Sequence, residues 1–400
     1  MASDNSIFEG GFGIERETLR VDKNGRLAQT PHPFDDPHME RDFCESQLEL
    51  ITPVCPSPKA ALEELGRLSD KAVKTLEERG EYLWLCSNPP HYDSEDEVVV
   101  ARYSGDKINK HEYRIKLLRR YGKRLMTYSG IHFNYSLSGE YIRKLNTSGE
   151  PLGEFTDRLY LKLFKYATRY SWLILLLTAA SPVFDMSLRE QSGVKTAFDG
   201  HGSCRSGVNG YWNAFIPRLD HSSLKAYADS VNSYIQKGVL FSAGELYLPV
   251  RIKPRGENSL ESLVKNGADH IELRMFDLNP LAPEGVFAED LEFAHYFMIY
   301  LINLPDFEFT PEMQAQAIAN HKQAAGFDLD EIVINGYPAR YAALGLLDDM
   351  EAYFGEYEQV METIAFQRRK LTSGERYCNK VYDMFHNNFN REFFDYIKNR

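Results

Sequence analysis

The sequence predicts an α+β fold in which a curved antiparallel or mixed sheet carries helices on its apolar side. Short segments alternate polar and apolar residues with the period of a strand, and longer segments repeat apolar residues with the period of a helix. The last third of the chain is almost wholly of the second kind. No internal repeat and no linker rich in Pro, Gly or Ser divides the 400 residues, so we expect a single domain spanning 1–400.

The clearest predicted helix begins after Ser57, whose hydroxyl suits an N-cap, and Pro58 fits its first turn. Gly80 marks its end, because glycine adopts the backbone conformation in which many helices stop. Further helical patterns occupy 155–180, 287–303, 311–325 and 340–370, and another lies near the C-terminus.

Five alternating segments are the predicted strands, and alternation tells which of their side chains share a face. They are 13–21, 45–52, 131–137, 245–253 and 270–277. The faces so defined align Glu15 with Glu17, Glu45 with Glu49, His132 with Asn134 and Ser136, Glu272 with Arg274, and Glu245 with Tyr247, Arg251 and Lys253. Because the opposite faces are mostly apolar, one charged face of the sheet would stay open to a ligand. Pro249 indicates an edge strand or a bulge.

The acidic residues of these segments, with one aspartate nearby, would form a single pocket. Its members are Glu15, Glu17, Asp42, Glu45, Glu49, His132 and Glu272. Neighbouring carboxylates repel one another strongly, so either the pocket binds cations or several of its carboxylates are protonated. Any one of these residues alone is more often a solvated surface residue, but the pattern recurs on four strands. Oxygen ligands with one imidazole favour Mg²⁺, or alternatively Mn²⁺, and two or three ions could share the set.

Basic residues are needed if the substrates are anionic. The candidates for binding phosphate or carboxylate groups are Arg114, Arg205, Arg251, Lys253 and Arg274. Arg274 is the best placed, because it shares a strand face with Glu272 and so suits a cation beside metal-bound phosphate. Arg114 begins a basic run that ends at Arg124, where a solubilising surface role is the common alternative.

Charge and motifs exclude several other classes. The chain has 58 acidic and 46 basic residues, a formal charge of -12 that repels nucleic acid and anionic membranes. Five isolated cysteines show no zinc or disulfide pattern and suit a reducing cytoplasm. The polar start predicts no export, and the longest apolar runs are too short to span a bilayer. P-loop, dinucleotide-binding, GxSxG and HExxH motifs are absent.

Four stretches of the chain, in one order and at similar spacing from residue 11 to about 304, resemble the bacterial glutamate–cysteine ligases. They are GIERETLRV (13–21), DF (42–43) with ELITP (49–53), SGIHFNYS (129–136), and IELR (271–274) with DLNP (277–280). The resemblance implies a fold related to glutamine synthetase, with an antiparallel sheet curled into a funnel and helices on its outer face. It also implies a ligase that uses ATP to join the γ-carboxylate of glutamate to the amine of cysteine through a γ-glutamyl phosphate, the first step of glutathione synthesis.

Roles for individual residues are implied by the same resemblance. The family's metal ligands match Glu15, Glu17, Asp42, Glu49, His132 and Glu272, and Glu45 also has a counterpart. Arg274 matches an arginine near the γ-phosphate, so Arg274 and Glu272 are expected to act in catalysis, with Arg251 and Lys253 also near the ATP phosphates. The cysteine pocket matches Phe43, Tyr113, Arg205, Tyr211 and Tyr247, and Arg114 matches a contact to glutamate.

The chain departs from the family in two respects. Single-function members are longer, and no ATP-grasp domain follows the matched region, so we expect an enzyme that does not itself complete glutathione. Ile252 stands where relatives often have proline.

Three alternatives stay open at this stage. The chain could be a γ-glutamyl ligase for another small amino acid or amine, because an apolar pocket separates a sulfur from a methyl by only about 1–3 kcal/mol. It could be a metal-dependent hydrolase that activates water with the same carboxylates. It could also be a sensor that binds its ligand without catalysis.

Overall fold

A seven-stranded antiparallel sheet lies at the centre of the protein in the computed structural model, which describes residues 5–103, 105, 108–189 and 193–400. The strands of the described residues are β1 Gly10–Val21, β2 Met39–Glu40, β3 Gln47–Ile51, β4 Tyr82–Trp84, β5 Gly130–Leu137, β6 Val183–Asp185, β7 Thr196–Phe198, β8 Val250–Pro254, β9 Ala268–Asp277, β10 Val333–Ile334 and β11 Tyr337–Pro338. The central sheet has the order β2-β3-β1-β5-β9-β8, with β4 paired to the end of β1. β6–β7 and β10–β11 are separate two-stranded sheets. The predicted class, helices with an antiparallel sheet, is confirmed.

The register of the central sheet places polar and ionisable residues from distant segments opposite one another. The opposed Cα pairs are Glu15–His132, Glu17–Glu49, Asn134–Glu272 and Arg251–Glu272. Opposed residues have Cβ atoms about 5 Å apart, so strand pairing alone gathers these side chains on one face. A register shift between Ile131 and Phe133, where β5 meets β9, changes the pairing next to His132.

Helices cover the other, apolar face of the sheet. All the helices of the described residues, on whichever side of the sheet, are α1 Pro58–Glu77, α2 Ile108–Tyr121, α3 Gly139–Leu145, α4 Leu152–Thr178, α5 Leu224–Gln236, α6 Leu260–Asn266, α7 Ala288–Asn303, α8 Pro311–Ala324, α9 Ala339–Phe354, α10 Glu358–Ser373, α11 Tyr377–Phe385 and α12 Phe389–Lys398. α1 and α4 pack against the sheet, and α7 packs on both helices. Leu50, Phe133 and Leu273, which alternate with the charged residues along their strands, are fully buried beneath them.

Most of the predicted helices are present, with one merged incorrectly. Ser57 Oγ accepts a hydrogen bond from Ala60 N–H (3.1 Å) and so caps α1 as expected. The prediction of one helix over 340–370 was wrong, because α9 and α10 are separated at Gly355, a residue that weakens a helix. The C-terminal helical segment is likewise two helices, α11 and α12, and α2, α3, α5 and α6 were not predicted.

Two predicted strands begin later than expected, and both errors misplace a glutamate. Gln47 N–H donates to Cys44 O (3.0 Å), which closes a turn before β3, so Glu45 precedes the strand and does not share a face with Glu49. Glu245 lies in a 3₁₀ turn, Ala243–Glu245, and not on β8. Pro249 comes directly before β8, which is an edge strand as the proline indicated.

In the described part of the chain no helix combines the length and the apolar character needed to cross a bilayer.

Candidate active site

A cavity of about 210 Å³ opens on the charged face of the sheet. It is lined by Glu15, Glu17, Asp42, Phe43, Glu49, Tyr113, Arg114, Leu117, Met126, His132, Tyr211, Gly244, Tyr247, Arg251, Lys253, Glu272 and Arg274. All the candidate site residues of the sequence analysis are here except Arg205 and Glu45, and of the other aligned polar residues Glu245, Asn134 and Ser136 lie outside this lining. Strands β1, β3, β5, β8 and β9 supply its floor, and α2 and four connecting segments supply its walls.

Two overlapping groups of side chains in the cavity could each hold a metal ion. Glu15, His132 and Glu272 form one group and Glu17, Glu49 and His132 the other, with the ligand atoms of each within 4.8 Å of one another. His132 Nδ1 lies 3.1 Å from Glu15 Oε2, and its Nε2 lies 3.6 Å from Glu17 Oε1. The imidazole therefore stands between the two groups.

Unpartnered buried atoms show that the cavity fits a cation. Both oxygens of Glu272 and Nε2 of His132 are buried, and none has a hydrogen-bond partner among the described residues. Lys253 Nζ (3.1 Å) and Arg274 (3.2 Å) lie at ion-pair distance from Glu272 Oε1, outside hydrogen-bond geometry. Buried acceptors left without donors are costly, and a divalent cation would satisfy them. Carboxylates with one imidazole suit Mg²⁺ or Mn²⁺.

The electrostatic environment separates the carboxylates into two kinds. Burial opposes ionisation of Glu272, but Arg274, Lys253 and His132 outweigh burial and hold its pKa well below the ordinary value. Glu15 is similar: burial is outweighed by the hydrogen bond from His132, and its pKa is lowered. For Glu49, burial and then the negative charges of neighbouring acids raise the pKa well above the ordinary value. Without a metal ion, the carboxyl group of Glu49 therefore tends to stay protonated.

If Mg²⁺ is the cation that this cavity binds, it would stabilise the protein more at high pH than at low pH. A carboxyl whose folded-state pKa is raised binds a proton that the unfolded chain has lost, so the metal-free protein loses stability as pH rises above about 4.5 toward the folded-state pKa of Glu49. A bound Mg²⁺ would need the ionised carboxylate and would reverse that loss. We expect the Mg²⁺-induced rise in Tm to grow between pH 5.5 and pH 8 in thermal melts.

The matched variant for this test is Glu49→Gln, which cannot ionise. It should melt at a higher temperature than the wild type without metal at pH 8, because the repulsion is gone, and should gain less from Mg²⁺. An equal Mg²⁺ shift at both pH values in the wild type would show that Glu49 is already ionised in the metal-free protein.

Aromatic side chains form the wall opposite the acids. Phe43, Tyr113, Tyr211 and Tyr247 all line the cavity, and the rings of Tyr211 and Tyr247 lie 4.3 Å apart. Arg205 lies in an adjoining smaller cavity that shares Tyr211, Tyr247 and Arg274 with the first. Its guanidinium donates to Arg274 O (2.8 Å), so Arg205 stands directly behind the site.

Two further basic residues of the cavity, Arg114 and Arg251, donate hydrogen bonds to backbone carbonyls. Arg114 donates to Asp42 O and also lies 3.6 Å from the Asp42 carboxylate. Arg251 donates to Gly244 O (2.7 Å) and Leu246 O (3.0 Å). Each guanidinium is thus oriented by a different backbone segment, and both segments border the cavity.

Glu45 does not line the cavity, which corrects its inclusion in the acidic pocket. Its carboxylate pairs with Arg41 (3.1 Å) and accepts from Arg102 N–H (2.6 Å), because the turn before β3 directs it away. Two apolar lining residues, Leu117 and Met126, were missed. Leu117 follows Tyr113 by four residues, one helical turn, so a helix predicted over α2 would have found it. No sequence pattern pointed to Met126.

Fold and site together define a candidate enzyme whose active site combines a cation-binding cluster with arginines suited to anionic substrates. A model of the glutamate–cysteine ligase family matches residues 2–238 and 212–324. The chain therefore belongs to the glutamate–cysteine ligase family.

Individual relatives agree with this assignment. The glutathione biosynthesis bifunctional protein GshAB of Listeria monocytogenes is 35% identical over 348 residues, which cover 82% of this chain and 44% of that protein. A bifunctional glutathione synthetase from Pasteurella multocida superposes with a TM-score of 0.85 at 25% identity, covering 98% of this chain and 52% of that one. The glutamate–cysteine ligase of Francisella tularensis, solved in complex with AMP, superposes with a TM-score of 0.88 at 21% identity, covering 98% and 88%. The chain spans about half the length of the curated relatives it matches.

Proposed function

We propose that the chain is an ATP-dependent ligase that forms γ-glutamylcysteine from glutamate and cysteine, the first step of glutathione synthesis. The observation that carries the proposal is the convergence of Glu15, Glu17, Glu49, His132 and Glu272 on one cavity beside Arg274. These residues come from four strands, and family membership gives the cluster its chemistry.

A free carboxylate has no leaving group, so an amine cannot displace oxide from it at a useful rate. Attack of the glutamate γ-carboxylate on the γ-phosphorus of ATP forms a γ-glutamyl phosphate and releases ADP. The cysteine amine then attacks the acyl carbon, loses a proton, and expels phosphate. The first attack joins two anions, and charge stabilisation at the transferring phosphoryl group is the main task of the site.

Each candidate residue has a place in this scheme. Mg²⁺, held by Glu15, Glu17, Asp42, Glu49, His132 and Glu272 as two or three ions, with Mn²⁺ as the substitute, would supply positive charge to the phosphates. Arg274, Arg251 and Lys253 would contact the phosphates, and Arg114 would contact glutamate. Phe43, Tyr113, Tyr211 and Tyr247 would enclose the acceptor side chain, with Arg205 near its carboxylate.

The finer description of the molecule belongs to the same proposal. We take 1–400 as one catalytic domain working in the cytoplasm, with its sheet curled into a funnel like that of glutamine synthetase. Its partners would be the small-molecule substrates, with no nucleic acid and no membrane. The relatives named bifunctional carry out glutathione biosynthesis, and this proposal concerns the glutamate–cysteine step alone.

The test is ADP formation with ATP, Mg²⁺ and glutamate, comparing cysteine with 2-aminobutyrate, alanine and glycine, with products identified by mass. We expect ADP release that depends on both amino acids and a product of the mass of γ-glutamylcysteine. Preference for another acceptor would give the γ-glutamyl ligase of different specificity. Turnover without any acceptor would indicate a hydrolase, and nucleotide binding without ADP release would indicate a sensor.

A further inference from the structure

Glu245, which the sequence pattern placed on a strand, is a fully buried carboxylate outside the cavity. Its Oε1 accepts from Arg120 (2.5 Å) and from the Tyr121 hydroxyl (2.8 Å), and its Oε2 accepts from Phe241 N–H. The Arg120 guanidinium also lies 3.6 Å from the centre of the Phe241 ring. One carboxylate therefore joins the last two residues of α2 to the loop that contains Glu245 itself.

The two segments joined by Glu245 form facing walls of the candidate active site. α2 contributes Tyr113, Arg114 and Leu117 to the cavity, and the loop contributes Gly244 and Tyr247. Leu117 is the fully buried residue of α2, and Tyr113, Leu118 and Tyr121 are partly buried against the same apolar cluster. With this limited apolar packing, polar contacts also contribute to the position of the α2 wall.

Asn213 makes further hydrogen bonds to both α2 and the loop that contains Glu245. Its amide donates to Tyr121 Oη (3.0 Å) and to Glu245 O (2.8 Å), and its carbonyl accepts from Tyr247 N–H (2.8 Å). Tyr121, Glu245 and Tyr247 thus belong to one closed hydrogen-bond network. The network includes the backbone N–H of Tyr247, a loop residue that lines the cavity.

Charge makes Glu245 the member on which this network depends most. A buried carboxylate that loses its charge would leave the partly exposed Arg120 without its ion pair and with only the carbonyl oxygens of Gly238 and Val239 as acceptors. Losing a charged partner costs more than losing one neutral hydrogen bond. Burial and the bond to Glu245 raise the pKa of Tyr121 to about 12, so its hydroxyl remains a donor at neutral pH. The hydrogen bond from Tyr121 to Glu245 can therefore form at neutral pH.

We propose that Glu245 is a positioning residue that fixes the α2 wall relative to the Tyr247 loop, and so sets the affinity for the two amino-acid substrates. The role rests on the proposed function, since α2 carries the candidate contacts to glutamate and to the acceptor. It requires no contact between Glu245 and any substrate.

The test replaces Glu245 with glutamine, which keeps the shape and removes the charge. We expect KM for glutamate and for the acceptor to rise about tenfold, equivalent to about 1.4 kcal/mol of binding, with kcat and KM for ATP within about twofold. Tyr121→Phe removes the hydroxyl's two neutral-group hydrogen bonds, to Glu245 and from Asn213, but leaves the Arg120–Glu245 ion pair in place. It should change the same two constants in the same direction by a smaller factor, and it serves as the test if Glu245→Gln does not fold.

Asp290 offers a matched control in the helical layer. It is buried on α7 and accepts from Lys370 (2.6 Å), from the Tyr377 hydroxyl (2.9 Å) and from Gln367 (2.9 Å), yet it lines none of the described cavities near the sheet. Asp290→Asn should lower Tm without changing any KM. Equal KM changes in both variants would overturn the proposal, because loss of stability alone would then explain them.

Hydrogen exchange gives a readout that does not need activity. In Glu245→Gln, amides of 108–121 and 241–247 should exchange faster together, while Asp290→Asn should leave both segments unchanged. Unchanged exchange and unchanged KM values would refute the positioning role. A wild type that forms no ADP with any acceptor would refute the proposed function, and the exchange experiment would still decide whether Glu245 holds the two walls together.

Discussion

Arg274→Ala is expected to lower turnover at least about a hundredfold while the fold survives. The Arg274 guanidinium lies 3.2 Å from Glu272 Oε1 and 3.4 Å from His132 Nδ1, so it is a fixed positive charge within the candidate metal cluster. Losing one such contact to a developing charge typically raises the barrier by about 3 kcal/mol. ADP formation at saturating substrates and metal measures the loss.

Arg26 supplies the control for this prediction. It is a partly exposed arginine that pairs with Asp93 (2.7 Å) and Glu97 (3.0 Å) away from the cavity. Arg26→Ala should keep turnover within about twofold, and circular dichroism should show both variants folded. Near-normal turnover of Arg274→Ala would remove Arg274 from the chemical step.

Glu81→Ala is expected to have the largest effect on stability. Arg20 and Glu81 form an ion pair at 2.6 Å with side chains 0% and 3% exposed, and burial lowers the pKa of Arg20 even though Glu81 opposes that shift. Removing the carboxylate leaves a buried cation unpaired, which costs about 3–5 kcal/mol. For a chain of this length we expect Tm to fall by about 4–6 °C in a thermal melt.

Two further variants make the stability prediction specific. Asp395→Ala removes an exposed pair with Arg391 (3.8 Å) and should change Tm by less than about 1 °C. The double substitution Arg20→Met with Glu81→Leu should recover most of the loss, since an apolar pair leaves no charge unpaired. A Tm of Glu81→Ala equal to that of the wild type would mean that water or rearranged side chains solvate Arg20.

Strand alternation predicted the acidic face of the sheet because the period of two is fixed wherever the chain is extended. Glu15 and Glu17 share the face, and Glu272 and Arg274 share it too, as the alternation required. Alternation does not reveal where a strand begins. Glu45 and Glu245 were misplaced because each precedes a strand by a turn whose closing hydrogen bonds are not visible as a pattern.

Residues outside the sheet could not be located by periodicity. Tyr113 and Arg114 lie on α2, a helix whose polar surface gives little hydrophobic signal. Only the family resemblance pointed to Tyr113, and charge made Arg114 a candidate without locating it. Arg205 reaches the site from a loop, and its contact with Arg274 O depends on a close approach to Gly130 that no spacing rule predicts. The family resemblance gave these residues their roles in the site, because periodicity along the sequence does not predict contacts made by loops.

The order of the strands along the chain also determines when each strand can pair during synthesis. Glu15 and His132 are 117 residues apart, and Arg274 lies a further 142 residues along the chain, so β5 gains its second neighbour late in synthesis. At 5–20 residues per second, a ribosome needs roughly 7–28 s for that interval. Throughout it the nascent chain presents an unpaired strand edge to other chains. We therefore expect aggregation during translation to be greatest before the residues that complete the cation cluster have emerged.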